Sequence, residues 1–437
     1  MGGQHETHND GHYTVTALQL KTPSRPIAPV GTSSRLAICK VWDGEYPWDV
    51  RVQKVALALT KAGHTVSLVA RNRRRLPATE ALPEANLYRL LPCRWLPAWL
   101  DGAAMFPAFL NPRWLRAIGN VARRQHANLI LCRDLPLAPT SIVAGRTLGI
   151  PVVLDMAENY PAMLRSRWST GRHRLVDFLV RNPGLAQRVE QWVLPRVQGV
   201  LVVVEESRDR LVQHGVPEDK IAIVRNTPLL ERLRQPAARH DATAPLRVVY
   251  LGLLELQRGI GTALEAVAIL KEAKFPVRLT VLGGGFDEAL LRGRAAALGL
   301  GQEHVDFRGQ VPNDVALGEL PLAHVGIVPH WKDESWDTTI PNKIFDYMAA
   351  GLAVVTSDAA PVARIVRTSG CGAVFPDRDP AALAAALRRF ADPAVRRVAG
   401  ECGRAAIRAT YHWEQDVSRM LDLVTAVMQR PSTGGVA

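Results

Sequence analysis

The sequence predicts an α/β protein built from two parallel-sheet units in tandem. Three observations carry that prediction. Short, near-continuous aliphatic runs alternate with segments of helical periodicity, the mark of parallel strands covered on both faces. The alternation pauses once, in a polar, proline-flanked stretch, and then resumes. The length of 437 residues suits two domains at roughly 100–200 residues each.

In chain order, residues 1–33 are polar and rich in Gly, His, Ser and Pro, and read as a disordered tail. The first unit spans 34–232. Its strands are expected at 36–42, 65–70, 128–134, 151–157, 199–206 and 220–226, each rich in Val, Ile and Leu. Between the first two lies WDVRVQKVALALTKAG, apolar at helical spacing and stopped by Gly63. The segment 233–245, LRQPAARHDATAP, is the expected linker. The second unit, 246–411, has strands expected at 246–252, 277–283, 305–309, 325–330, 353–358 and 372–376, alternating with helices such as TALEAVAILKEA. A last helix at about 412–428 opens the closing segment, 412–437.

Charge is unevenly divided. Residues 1–240 hold 33 Lys+Arg against 19 Asp+Glu, whereas residues 241–437 hold 21 against 22. The excess of positive charge in the first half points to an anionic partner such as a membrane or a phosphorylated ligand; an Arg-rich proteome accounts for it equally. No nucleic-acid recognition motif accompanies it. The five cysteines are scattered without a C-x-x-C pair, so neither a disulfide framework nor a zinc site is expected, and a reducing cytoplasm is the default. The opening residues lack the charged-then-apolar order of a signal peptide. No apolar run reaches the length needed to span a bilayer.

In parallel sheets of this kind ligands bind at the carboxyl ends of the strands, which directs attention to three turns of the second unit. In the first, YLGLLELQRGIG, a strand ends at Gly252, and Arg258 and Gly259 lead into a helix. Free N–H groups at a helix start favour a phosphate, and Arg258 adds a forked donor. Taken alone, the segment fits a surface arginine beside a turn glycine just as well. The second turn carries Gly283, Gly284 and Gly285, which allow a ligand close to the backbone; a tight structural turn is the plainer alternative. The third is TTIPNKIFDYMAAG, 338–351, where Pro341 suits the first turn of a helix. Thr338 and Thr339 then lie at its positive end. Lys343 sits where the helix dipole disfavours a cation, which makes sense if it faces an anion, and Asp346 one turn on can accept two hydrogen bonds from ribose hydroxyls. Exposure of both side chains to solvent is the alternative.

With these turns in view, the chain resembles the retaining glycosyltransferases of family 4, over about 35–428 and most closely over 248–358. The segment PNKIFDYMAAGLAVVTSD, 341–358, carries the most specific part of the likeness. VVLDMAENYPAM, 152–163, resembles the family's Asp-x-His-Glu segment, and 202–228 its final strand pair, ending in Asn226. Three positions depart from the family pattern: Thr338 where a Glu is frequent, Ala157 at the His, and Leu253 where an Arg often follows Gly252.

The resemblance implies the GT-B fold: two Rossmann-like domains with parallel sheets facing each other across a cleft, 34–232 on the acceptor side and 246–411 holding a nucleotide sugar. It implies that Gly252, Gly259, Gly283, Gly285, Thr338, Thr339 and Asp346 bind the donor. Arg258 and Lys343 would neutralise the leaving diphosphate without a metal ion or other cofactor. Glu158, or Asp43, is placed to take the acceptor's proton, although either acid could equally be structural. The acceptor is expected to be a glycan or lipid-linked sugar. Residues 88–124 interleave Trp95, Trp99, Phe106, Phe109 and Trp114 with arginines, a composition suited to a membrane interface, or else to a folded helical pair. A cytoplasmic protein, peripheral at the inner face of the membrane, is the expected setting. A sugar-nucleotide epimerase of the same fold and a non-catalytic sugar-nucleotide-binding subunit are alternatives; the Trp-rich stretch speaks against the first, while Ala157 and Thr338 keep the second open.

Overall fold

The aliphatic runs become central strands buried on both faces. The computed structural model describes residues 35–47, 49–90, 109–169, 182–234, 237–238 and 245–430. Among them the first sheet contains β1 (Ala37–Glu45), β2 (Thr65–Arg71), β3 (Thr79–Ala81), β4 (Asn86–Leu90), β5 (Leu129–Arg133), β6 (Val152–Asp155), β7 (Gly199–Val202) and β8 (Ile221–Ile223), in the order β3-β4-β2-β1-β5-β6-β7-β8. Only the β3–β4 pair is antiparallel. That edge pair is absent from the sequence expectation, because neither segment has the long aliphatic run of a central strand. The second sheet contains β9 (Leu246–Leu251), β10 (Val277–Leu282), β11 (Val305–Gly309), β12 (Val325–Val328), β13 (Ala353–Ser357) and β14 (Gly372–Phe375), all parallel, in the order β11-β10-β9-β12-β13-β14.

Helices cover both faces of each sheet. In the first unit they are α1 (Val50–Lys61), α2 (Pro112–Arg124), α3 (Ala138–Leu148), α4 (Tyr160–Ser169), α5 (Pro183–Val193) and α6 (Glu205–Gln213). In the second they are α7 (Ile260–Glu272), α8 (Glu288–Ala297), α9 (Asn313–Glu319), α10 (Lys343–Ala350), α11 (Ala360–Ser369), α12 (Pro380–Arg389) and α13 (Pro393–Ala409). Strand order reverses between β1 and β5 and again between β9 and β12. In sheets of this kind such a reversal marks where ligands bind, beyond the carboxyl ends of the strands.

The last helix, α14 (Trp413–Gln429), follows the second unit in the chain but packs on the first. Its Met420, Leu423, Val424 and Val427 are buried in one cluster with Leu129, Val153 and Leu201. Among the described residues of the 233–245 stretch, Ala238 donates its N–H to the carbonyl of Ala350 at 2.9 Å. Trp114 is 1% exposed and belongs to the first unit's core, so for this aromatic the folded-core reading holds. Trp95, Trp99 and Phe106 lie outside the described residues. No helix among the described residues is long and apolar enough to cross a membrane.

The carboxyl edge of the first sheet is held by buried ions. Asp155, at the end of β6, is fully buried and accepts hydrogen bonds from Arg51 Nη2 at 2.6 Å and Nε at 2.9 Å, with Lys40 Nζ 4.0 Å away. Arg51 also donates to the carbonyl of Val224 at 2.8 Å, tying α1 to the end of the sheet. Arg133 bonds Asp134 at 2.7 Å and Asp49 at 3.3 Å. Burial pushes the Asp155 carboxyl up, but Arg51, Arg133 and Lys40 together outweigh it and hold it at about 2. Because that value lies below the ordinary range of a free aspartate, the stabilisation is present above that range and fades as pH falls towards about 2. Asp155→Ala is expected to lower stability by about 3–5 kcal/mol, the cost of leaving buried cations unpaired, as measured by chemical denaturation. A loss of about 1 kcal/mol or less, the size of an exposed pair, would overturn this account of the edge.

Candidate functional site

Three turns meet at the crevice between β9 and β12, and their glycines are explained first by one another. Gly252, just past β9, has φ +136, and a Cβ there would come within 3.0 Å of Lys343 Nζ. At Gly283, φ +143, a Cβ would lie 1.9 Å from the carbonyl oxygen of Gly252; at Gly285 it would lie 2.4 Å from that of Leu254. At Gly259, φ +73, it would lie 1.6 Å from the carbonyl oxygen of Pro329. Gly259, Gly283 and Gly285 need glycine because turn packs on turn, and Gly252 because of its positive φ, whether or not a ligand also approaches them.

Lys343 is the first residue of α10 and is 6% exposed. Its Nζ stands 3.7 Å above the centre of the Tyr250 ring, yet no hydrogen-bond acceptor reaches it among the described residues. Burial, followed by the charge of Arg258, pushes its pKa well below the usual lysine value. Arg258 is half-buried; its Nε donates to Glu255 at 2.9 Å, and its guanidinium lies 5.4 Å from the centre of the Trp336 ring. A buried ammonium with no acceptor is costly, and an anion would remove the cost.

Thr338 and Thr339 are engaged otherwise than the sequence reading expected. Helix α10 begins at Lys343, so Pro341 precedes the first turn and both threonines lie before it. Thr338 Oγ1 donates to the carbonyl of Glu334 at 2.8 Å and accepts from Asn159 Nδ2 of the first unit at 3.1 Å. Its carbonyl accepts from Ser207 Oγ. Thr339 Oγ1 donates to the carbonyl of Ala157 at 3.2 Å. The segment thus joins the two units. Arg364 adds a second tie, donating to Glu206 at 2.7 Å and to Glu205 at 2.6 Å.

Asp346, one turn along α10, has a half-buried side chain 3.8 Å from Arg232. Burial raises its pKa, while Arg232 and Lys54 oppose the rise. Lys54 belongs to α1 of the first unit; its Nζ donates to the carbonyl of Thr227 at 2.5 Å and sits 4.1 Å above the Trp413 ring. On the first unit's edge Glu158 is exposed, next to Ala157. Asp43 is given over to Arg71, whose Nη2 donates to it at 2.9 Å. Beside Thr338 a cavity of about 440 Å³ runs between α4, α5, α6 and the 334–338 loop. Its charges are largely matched, Arg165 with Glu334 and Arg210 with Glu190, each at 2.6 Å.

The sequence reading passed over two residues at these edges. Asp134, directly after β5, has φ +62 and ψ 165, a region costly for any residue but glycine. Burial pushes its carboxyl up to about 7. His330, two residues past β12, is 1% exposed. In both cases the available signal was a polar residue at the end of an aliphatic strand, at the edge where ligands bind.

Comparison with known proteins agrees with this architecture. The family of glycosyl transferase 4-like domains matches residues 49–227, and that of glycosyl transferases group 1 matches residues 245–392. The chain is 30% identical over 184 residues to the amylovoran biosynthesis glycosyltransferase AmsK of Erwinia amylovora, covering 41% of this chain and 44% of the relative. It is 28% identical over 209 residues to the putative colanic acid biosynthesis glycosyltransferase WcaL of Escherichia coli K12, covering 48% and 51%. The chain thus spans about half the length of these curated relatives. In fold it is similar to sucrose-phosphate synthase from Thermosynechococcus elongatus, with a TM-score of 0.71, 20% identity and coverage of 90% of this chain and 99% of that one. It is also similar to Anabaena Alr3699/HepE, solved in complex with UDP-glucose, with a TM-score of 0.64, 13% identity and coverage of 90% and 100%. The chain belongs to the group 1/GT4-like glycosyltransferases of the GT-B fold.

Proposed function

We propose that the protein transfers a sugar from a nucleoside-diphosphate donor to a hydroxyl group of a glycan or lipid-linked acceptor, with retention of configuration. The observation that carries this reading is Lys343, buried without an acceptor beside Arg258 at the crevice of the second sheet. Departure of a nucleoside diphosphate builds negative charge on its phosphate oxygens. Lys343 and Arg258 would stabilise that charge in a water-poor cleft, and the reading calls for no metal ion. Asp346 would receive the ribose hydroxyls, and Glu158 would stand nearest the acceptor. Retention and the roles of single residues rest on the family resemblance. The biosynthetic relatives AmsK and WcaL support a polysaccharide acceptor, and the UDP-glucose complex of HepE supports a uridine donor as the first to try.

Lys343→Gln and Arg258→Gln are each expected to lower kcat by roughly 10²–10³-fold, as removal of one transition-state donor does, with the fold retained by circular dichroism. Two variants with wild-type turnover on an active sugar nucleotide would remove the diphosphate site. Asp346→Asn is expected to weaken nucleotide binding by about 1.5–3 kcal/mol, the scale of a hydrogen bond to a charged group; unchanged affinity by calorimetry would take Asp346 out of the site.

The first unit is further proposed to attach to anionic membranes, given the positive excess of residues 1–240 and the Trp95, Trp99 and Phe106 stretch. Salt should release the electrostatic part, since screening acts over about 8 Å at physiological ionic strength. Replacing the three aromatics with Ser should release the remainder. Failure of the wild type to sediment with anionic vesicles at low salt would end this proposal.

A further inference from the structure

His330 has no assigned role, and its surroundings give it one. It lies at the reversal of strand order in the second sheet, where β12 ends beside β9. The side chain is 1% exposed, and neither Nδ1 nor Nε2 finds a hydrogen-bond partner among the described residues. An imidazole always has a donor and an acceptor, or two donors, to satisfy, so a ring buried with both nitrogens idle is out of balance.

The ring is also held in place. Its plane meets that of Trp336 edge-on at 4.3 Å between centres, and its carbonyl accepts from Ser357 Oγ at 2.6 Å. The flanking backbone is clamped to the turn that carries Arg258: Trp331 donates its N–H to the carbonyl of Gln257 at 2.9 Å, and Gly259 leaves no room for a Cβ against Pro329. His330 and Arg258 are thereby held on adjoining segments, and both lie against the Trp336 ring. The charged groups nearby are Lys343 on α10 and Arg258 with its partner Glu255, while Lys332 on the same loop pairs with Asp358 at 3.6 Å.

We propose that His330 is a third side-chain ligand of the donor diphosphate, giving a ring N–H to a phosphate oxygen alongside Lys343 and Arg258. This rests on the donor site proposed above and adds a residue to it. Burial, Lys343 and Arg258 hold the free imidazole neutral, well below its ordinary pKa. A diphosphate would reverse the sign of the local field and favour the imidazolium. Binding would then take up a proton, and affinity would fall as pH rises between the free and bound pKa values, by up to about tenfold per pH unit for each proton taken up.

The test uses the full chain and whichever of UDP, GDP and ADP gives the largest thermal shift. Calorimetry in two buffers of different ionisation enthalpy counts the protons taken up on binding, for the wild type, His330→Gln, His330→Phe and Lys343→Gln. His330→Gln is expected to take up fewer protons than the wild type while keeping part of the affinity through its amide N–H. His330→Phe, which preserves the packing on Trp336, is expected to bind about tenfold or more weakly. If Lys343→Gln weakens binding but both His330 variants match the wild type in affinity and proton uptake, the role of His330 falls and the donor site stands. If none of the three nucleotides binds the wild type, both fall together.

Discussion

The two edges of the cleft differ in how closely carboxylates accompany their buried cations. On the first unit's edge three buried cations gather around carboxylates: Arg51 on Asp155, Arg133 on Asp134 and Asp49, and Lys40 4.0 Å from Asp155 with no hydrogen-bond partner among the described residues. On the second unit's edge Arg258 has Glu255, but Lys343 and His330 are buried with idle nitrogens. A folded protein leaves few buried polar groups unsatisfied, and groups of this kind cluster at functional sites. The first edge thus has a carboxylate beside each of these cations, and under the proposed function an anion would take that place at the second.

Backbone packing sets the position of that incomplete site. Gly252, Gly283, Gly285 and Gly259 let three turns lie against one another with no side chain between them. Arg258 and His330 are thereby fixed on neighbouring segments, and Lys343 is pressed towards Gly252 over the face of Tyr250. Under the proposed function such a cradle would need little rearrangement when charge develops on the leaving group.

The segment that leads to Lys343 also joins the two units. The 334–342 loop leads into α10 and touches the first unit through Thr338 and Thr339, with Asn159, Ser207 and Ala157 as partners. Lys54 reaches from α1 towards Asp346, and α14 returns from the second unit to fill the first unit's core. The two units are joined by this helix as well as by the linker.

Much of this was legible in the sequence. The aliphatic runs of both units marked twelve of the strands, because a strand buried on both faces needs apolar residues in succession. The turns carrying Gly252, Arg258, Gly283 and Lys343 were legible as well, since glycines and cations at strand ends are unusual locally. Partners distant in sequence were not legible. The apolar stripe of α14 shows that it packs on something, yet only the tertiary structure sets it on the first sheet rather than the second. Nothing local to Thr338 and Thr339 signals that the first unit bonds them. His330 looked like any polar residue after a strand; only the fold buries both of its nitrogens without a partner. Local pattern determines which elements form, because backbone geometry is local. Which side chains are left unsatisfied depends on segments hundreds of residues apart, and only their packing decides it.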